Sequence, residues 1–153
     1  RTFLQGLSHQ GDLVKEIIPL VSAHLRPREF FKSNVSDSAI RRLAKNVGRI
    51  DRLVRVAKAD ACGSNSGSID LFQAGEWLLD RARILEVENS IPKPIVMGRH
   101  LIKMGLIPGS NFSPILSECY NAQIDGEFKE IAEGIEYAKR LIEKVENETS
   151  HSE

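Results

Sequence analysis

Arg41, Lys45 and Arg49 recur at every fourth residue, a spacing that puts three cations on one side of a continuous helix, with Arg42, Arg52 and Arg55 flanking them. The chemistry open to such a stripe is electrostatic. Guanidinium and ammonium groups neutralise phosphates and release counterions, so affinity falls as salt rises. A second cationic pair, Arg99 and Lys103, precedes Gly105-Leu106-Ile107-Pro108-Gly109-Ser110, a turn whose glycines leave backbone N–H groups open to phosphate oxygens. Gly109 therefore joins Arg41, Arg42, Lys45, Arg49, Arg52, Arg99 and Lys103 as the candidate phosphate contacts. The plainer readings are a solvated face for the stripe, which Gly48 interrupts, and a helix stop for the turn.

By residue type alone His24 and Asp60 are two isolated polar groups far apart in the sequence, too few to make a catalytic metal site. The plainer alternatives are a half-buried helix-end histidine bonded to a carbonyl, and a helix-terminal acid paired with Arg41 or Arg42. His9, His100 and His151 share no ligand spacing, and Cys62 and Cys119 are too far apart in sequence for zinc-ribbon spacing. A disulfide framework is not expected. No residue is assigned a catalytic role, and no cofactor is expected in this chain.

The elements that position these groups read as helices, because apolar residues recur at three and four and strict alternation is missing. Leu13, Ile17, Leu20, Val21 and Leu25 form one stripe, with Pro19 expected to kink the segment or start a new helix. After a turn at Arg26-Pro27, Ser36 or Asp37 caps a helix facing inward through Ile40, Leu43, Ala44 and Val47, which Gly48 ends. Ile50, Leu53, Val54, Ala57 and Ala61 mark the next helix, which stops in a Gly/Ser/Asn loop. Ser68 caps a long helix with Leu71, Phe72, Gly75, Leu78, Leu79, Ala82 and Leu85 facing inward and Trp77 at its border. Pro92-Lys93-Pro94 forces an extended linker. Beyond it come a short helix from Gly98 closed by Gly105, a helix with Ile115, Leu116, Cys119, Tyr120 and Ile124, and a last helix with Ile131, Ile135, Ala138, Leu141, Ile142 and Val145. The boundaries read as residues 1–90, 91–148 and a frayed tail at 149–153, with fraying setting in from about Asn147.

The 153 residues carry 21 basic and 21 acidic side chains, 41% are hydrophobic and 27% charged, and no apolar run approaches the roughly 20 residues of a spanning helix, so neither disorder nor a membrane-spanning helix is expected. The charge is segregated although it sums to zero. Residues 26–58 hold ten basic and three acidic side chains, an excess of +7, and residues 118–148 hold four and nine, an excess of −5. A cytoplasmic location is the expectation, and exposed apolar ends favour a homodimer. The first residue, Arg1, and the absence of a signal-peptide core in the residues after it make a piece of a longer protein the expectation.

Five segments, in order, resemble the C-terminal half of bacterial CCA-adding tRNA nucleotidyltransferases and poly(A) polymerase-like proteins that carry an HD-type helical domain. They are Leu20-Val21-Ser22-Ala23-His24-Leu25-Arg26-Pro27, Ala39-Ile40-Arg41-Arg42-Leu43-Ala44 and Val56-Ala57-Lys58-Ala59-Asp60-Ala61-Cys62-Gly63, then Gly98-Arg99-His100-Leu101-Ile102-Lys103-Met104-Gly105-Leu106-Ile107-Pro108-Gly109, and Ile115-Leu116 followed by Gln123-Ile124-Asp125-Gly126-Glu127. His100 stands where the family usually has aspartate, and Ser113 where it usually has glycine.

The resemblance implies an all-α fold, with the distal half of an HD-like helical domain followed by a smaller RNA-binding-like module. It implies tRNA or another RNA as partner and a magnesium-dependent catalytic head elsewhere in the parent protein. Gly67-Ser68 is followed by Ile69-Asp70-Leu71-Phe72, which lacks the paired carboxylates of that head, so the chain alone is expected to be inactive. A second expectation is part of an HD-type phosphohydrolase whose other metal ligands lie upstream of Arg1 and which uses a divalent metal such as manganese or nickel. The resemblance makes His24 and Asp60, which fall at positions of that signature, the candidate metal ligands, but the chain has no adjacent His-Asp pair. A third is a helical scaffold that binds another protein through its acidic last helix.

Overall fold

The computed structural model describes residues 11–63 and 69–150. The loop at 64–68 with its Ser68 cap, His9, His151 and the last three residues lie outside the described residues, as do the side chains of Leu71 and Asn147. The fold is all-α. Eight helices and no strand are present among the described residues, and none of these helices is long and apolar enough to cross a membrane. The chain divides into two compact units, Arg1–Pro92 and Lys93–Glu153.

The first unit contains α1 (Gly11–Ser22), α2 (Arg26–Ser33), α3 (Asp37–Val47), α4 (Ile50–Gly63) and α5 (Ile69–Ile84). α5 lies against α2, α3 and α4, and α1 rests on α3 and α4. Ile40, Leu43, Ala44, Val47, Ile50, Leu53, Val54, Leu78 and Ala82 meet in the core with Leu20 from α1. Each fully buried leucine or isoleucine there contributes about 2 kcal/mol. Trp77 borders this core as expected, half-buried and edge-on to Phe31 with ring centroids 5.8 Å apart.

Several local expectations are corrected. Arg26–Ser33 is a helix instead of a turn, since Pro27 stands in its first turn, where the backbone N–H that proline lacks has no intrahelical partner anyway. α1 runs through Pro19 without a new start. The turn after it is held by the Ala23 N–H, which donates to the Pro19 carbonyl at 3.0 Å, and by burial of Leu20 and Ala23. Leu13, Val21 and Leu25 are exposed, because α1 buries only the narrow face that meets α3 and α4. Phe72 is exposed too, while Ala74, Leu78 and Ala82 supply the inner face of α5.

The second unit contains α6 (Gly98–Lys103), α7 (Phe112–Asp125) and α8 (Ile131–Ser150) around Val96, Leu101, Ile115, Cys119, Ala122, Phe128 and Ala138. Gln123 clamps the extended segment after the linker: its Nε2 donates to the Lys93 carbonyl at 2.8 Å and its Oε1 accepts from the Ile95 N–H at 2.9 Å. Gly134 lets α8 approach this segment closely, because a Cβ there would stand 2.8 Å from Val96 and 2.9 Å from Phe128. α8 begins where the Glu133 carboxylate accepts from the N–H groups of Lys129 and Glu130, at 3.0 and 3.3 Å, which satisfies donors that a helix start leaves orphaned. The helix runs to Ser150.

Candidate nucleic-acid interface

α3 is an amphipathic helix whose sequence fixes its orientation. Ser36 caps it by accepting from the Ala39 N–H at 3.4 Å, and Ile40, Leu43, Ala44 and Val47 are buried. Arg42 and Lys45 are thereby exposed, with Arg41 half-buried beside them. Arg41 makes no ion pair among the described residues, and neither do Arg28 and Lys32 on α2.

Gly48 breaks the stripe. Its φ of +74° is a conformation that side-chain-bearing residues rarely adopt, and its N–H closes α3 on the Ala44 carbonyl at 2.8 Å. Arg49 consequently sits in the corner between α3 and α4, off the helix that carries Arg41 and Lys45. There its Nε and Nη2 donate to the two carboxylate oxygens of Asp51 at 2.9 and 2.7 Å, a fork-to-fork pair. The Arg49 guanidinium holds the Asp51 carboxyl below its usual range, and Asp51 raises Arg49 in turn. Arg55 approaches the same carboxylate at 3.9 Å.

Arg52 reaches back across the sequence, its Nη1 donating to Glu16 Oε2 on α1 at 2.7 Å. Both line a cleft of about 260 Å³ together with Leu20, Val47, Gly48 and Arg49. Further along α4, Lys58 Nζ is 2.5 Å from Glu76 and 5.7 Å above the Phe72 ring, so it is committed to α5. Carboxylates thus hold Arg49, Arg52, Arg55 and Lys58, which the linear charge count treated alike with Arg41.

In the second unit, Arg99 and Lys103 are exposed on α6. Arg99 Nε lies 3.3 Å from His100 Nε2, and His100 Nδ1 accepts from the Met97 N–H at 3.0 Å. Partial burial, followed by the charges of Arg99 and Lys103, lowers the His100 pKa. Gly109 is exposed and lines a cleft of about 190 Å³ with Ser110, Asn111 and the apolar Leu106, Ile107, Ile115, Ile142 and Val145. A Cβ at Gly109 would meet nothing nearer than the Ile107 carbonyl at 3.8 Å, so packing does not demand glycine there.

The fold brings His24 and Asp60 together although 36 residues separate them. His24 Nδ1 is 2.6 Å from the Val21 carbonyl, and Nε2 faces Asp60 Oδ2 at 3.8 Å. The expected pairing of Asp60 with Arg41 or Arg42 is corrected on the side of Arg41. Asp60 lies in the last turn of α4 beside the end of α1, where His24 is its partner. Among the described residues no third His, Cys, Asp or Glu joins them to form a metal-holding group. Glu16 and Asp51 were missed as members of the site: Asp51 reads as an ordinary first-turn acid, and nothing local to Glu16 points to an arginine 36 residues away.

The first unit holds 14 basic and 11 acidic residues and the second 7 and 10, net charges of +3 and −3. No protein-family profile, curated protein or solved structure matches the chain.

Proposed function

We propose that this chain is the RNA-positioning part of a tRNA nucleotidyltransferase or poly(A) polymerase-like protein, gripping phosphates of a structured RNA chiefly through its first unit. The observation that carries the reading is the cationic face of α3, where Arg41, Arg42 and Lys45 project from a helix anchored by four buried apolar residues. Recognition of this kind relies on the shape of the RNA and its backbone more than on base edges. Arg99, Lys103 and Gly109 supply a smaller second set of contacts. His24 and Asp60 offer two ligands without a third among the described residues, so no chemical step is derived through a metal here. In this reading the bond-making atoms belong to another part of the parent protein.

The test is a titration of labelled tRNA at two salt concentrations. Binding that weakens steeply with salt, and weakens further when Arg41 and Lys45 are both reversed to glutamate without loss of helicity, supports the reading. Absent or salt-indifferent binding overturns it.

One observation favours a second reading, a metal-dependent HD-type phosphohydrolase: the approach of His24 to Asp60 at 3.8 Å. In that case the remaining ligands come from outside the described residues. Metal analysis of the full-length protein then finds a bound transition metal that H24A and D60A both reduce, and a metal-free protein removes the idea.

A further inference from the structure

We propose that the cleft beside the α3–α4 corner is a seat for one phosphate group of more than a single negative charge, with Glu16 holding Arg52 until the phosphate displaces it. The inference rests on the phosphate-contact reading above and narrows it to one place and one ligand chemistry.

Two guanidinium groups line the cleft, and they are held differently. Arg49 spends two of its five N–H donors on Asp51, a neighbour on the same corner, so it is oriented while three donors remain. Arg52 is held by Glu16 from a different helix, and both partners are about half exposed, at 45% and 59%. An exposed pair of this kind contributes a factor of about five at most to any equilibrium it opposes. Asp51 is thus the fixed support and Glu16 the movable partner.

Size and charge select the ligand. The cleft of about 260 Å³ has room for a phosphate group and lies below the roughly 300 Å³ typical of pockets that enclose a drug-sized molecule. An internal phosphodiester carries a single negative charge, as Glu16 does, and has no electrostatic advantage over it. A phosphomonoester carries about −1.5 to −2 near neutral pH and does. Leu20 and Val47 form the apolar part of the lining, which excludes water from one side and strengthens the contact. Gly48 leaves the corner open, since a Cβ built there meets no atom within 4 Å. The phosphate comes either from free inorganic phosphate or from the end of a polynucleotide, and the experiment separates these sources.

The full chain, labelled with ¹⁵N, is titrated with inorganic phosphate, with a 5′-phosphorylated oligoribonucleotide and with its 5′-hydroxyl counterpart. The expected result is a shift of the Gly48 and Arg52 amides with phosphate, tighter binding of the phosphorylated oligonucleotide than of the hydroxyl one, affinity up to about fivefold higher in E16Q, and loss of the shifts in R52Q. If inorganic phosphate alone shifts these amides, the seat stands and its source is free phosphate. If Gly48 shifts no more than Gly109, or E16Q binds no more tightly than the parent, the seat is refuted, whatever tRNA does. Conversely, phosphate seated at Gly48 with no salt-dependent tRNA binding removes the RNA-positioning reading and leaves this one intact.

Discussion

Replacing Arg41 with glutamine removes one positive charge from α3 while keeping much of the side chain that packs at the edge of the buried stripe. Arg41 makes no ion pair among the described residues, so its loss should leave no carboxylate stranded and the melting temperature should stay close to that of the parent. Its effect on RNA comes from counterion release, in which each phosphate contact steepens the dependence of log affinity on log salt by about 0.9. Raising salt fourfold, from about 50 to about 200 mM, therefore weakens binding by a factor of about 3.5 per contact. If all seven cationic candidates touched phosphates, the parent would lose a factor of several thousand, roughly 10³ to 10⁴, over that range. R41Q should make the slope shallower by about 0.9. R49Q should behave differently, lowering the melting temperature because Asp51 loses the fork that holds its charge, with a smaller change in slope because that charge is already matched. Fluorescence anisotropy with labelled tRNA at four salt concentrations, paired with thermal melts followed by circular dichroism, reads both quantities. An R41Q slope equal to that of the parent refutes the assignment. So does an equal change in K139Q, whose lysine pairs with Glu136 on α8, since net charge alone would then explain the binding.

Packing and the titratable groups set further outcomes. Leu78→Ala should destabilise the first unit by about 3 kcal/mol in urea unfolding, because Leu78 is fully buried among α2, α3 and α4 residues; a loss below about 1 kcal/mol would contradict that packing. Gly134→Ala should cost the second unit about 1–3 kcal/mol by forcing a methyl against Val96 and Phe128, measured in the same way. His100 has a folded pKa below its ordinary 6.5, so the neutral form is the one folding favours. Its penalty is absent above pH 6.5 and grows as pH falls from there through the folded pKa, so melts between pH 7.5 and 5 should fall more for the parent than for H100N. A thiol reagent at pH 8 should modify exposed Cys62 quickly and spare Cys119, whose thiol burial pushes up to about 11; equal labelling of both would show that the second core opens readily.

The helical character of the chain was legible because α3 and α4 each present an unbroken three-and-four pattern that the structure buries residue for residue, from Ile40 to Val47 and from Ile50 to Ala61. The same periodicity misled at α1, where Leu13, Val21 and Leu25 share a stripe but too little surface lies opposite to cover them. Arg26-Pro27 was misread because proline is a signal both for a turn and for a first helical turn, and only the residues after it, Arg28 to Ser33, decide between them. At the candidate interface, the outward direction of Arg42 and Lys45 comes from local pattern alone. The state of each cation does not: Glu16 reaches Arg52, Glu76 reaches Lys58 and Asp37 reaches Arg81 through pairings that the fold creates and sequence distance conceals. The approach of His24 to Asp60 belongs to the same kind, since a resemblance could mark both positions but only tertiary packing sets them 3.8 Å apart.

The fork between Arg49 and Asp51 bears on how selective a grip can be. A free arginine gives up about 2 kcal/mol of rotamer freedom when a partner freezes it, and that toll weakens every contact it makes. Arg49 has already been immobilised by its neighbour while the polypeptide condenses, so an incoming anion finds a plane of N–H groups with a fixed heading. Such a group discriminates by angle as well as by charge, rewarding oxygens that arrive in its plane and gaining little from a diffuse cloud of negative potential.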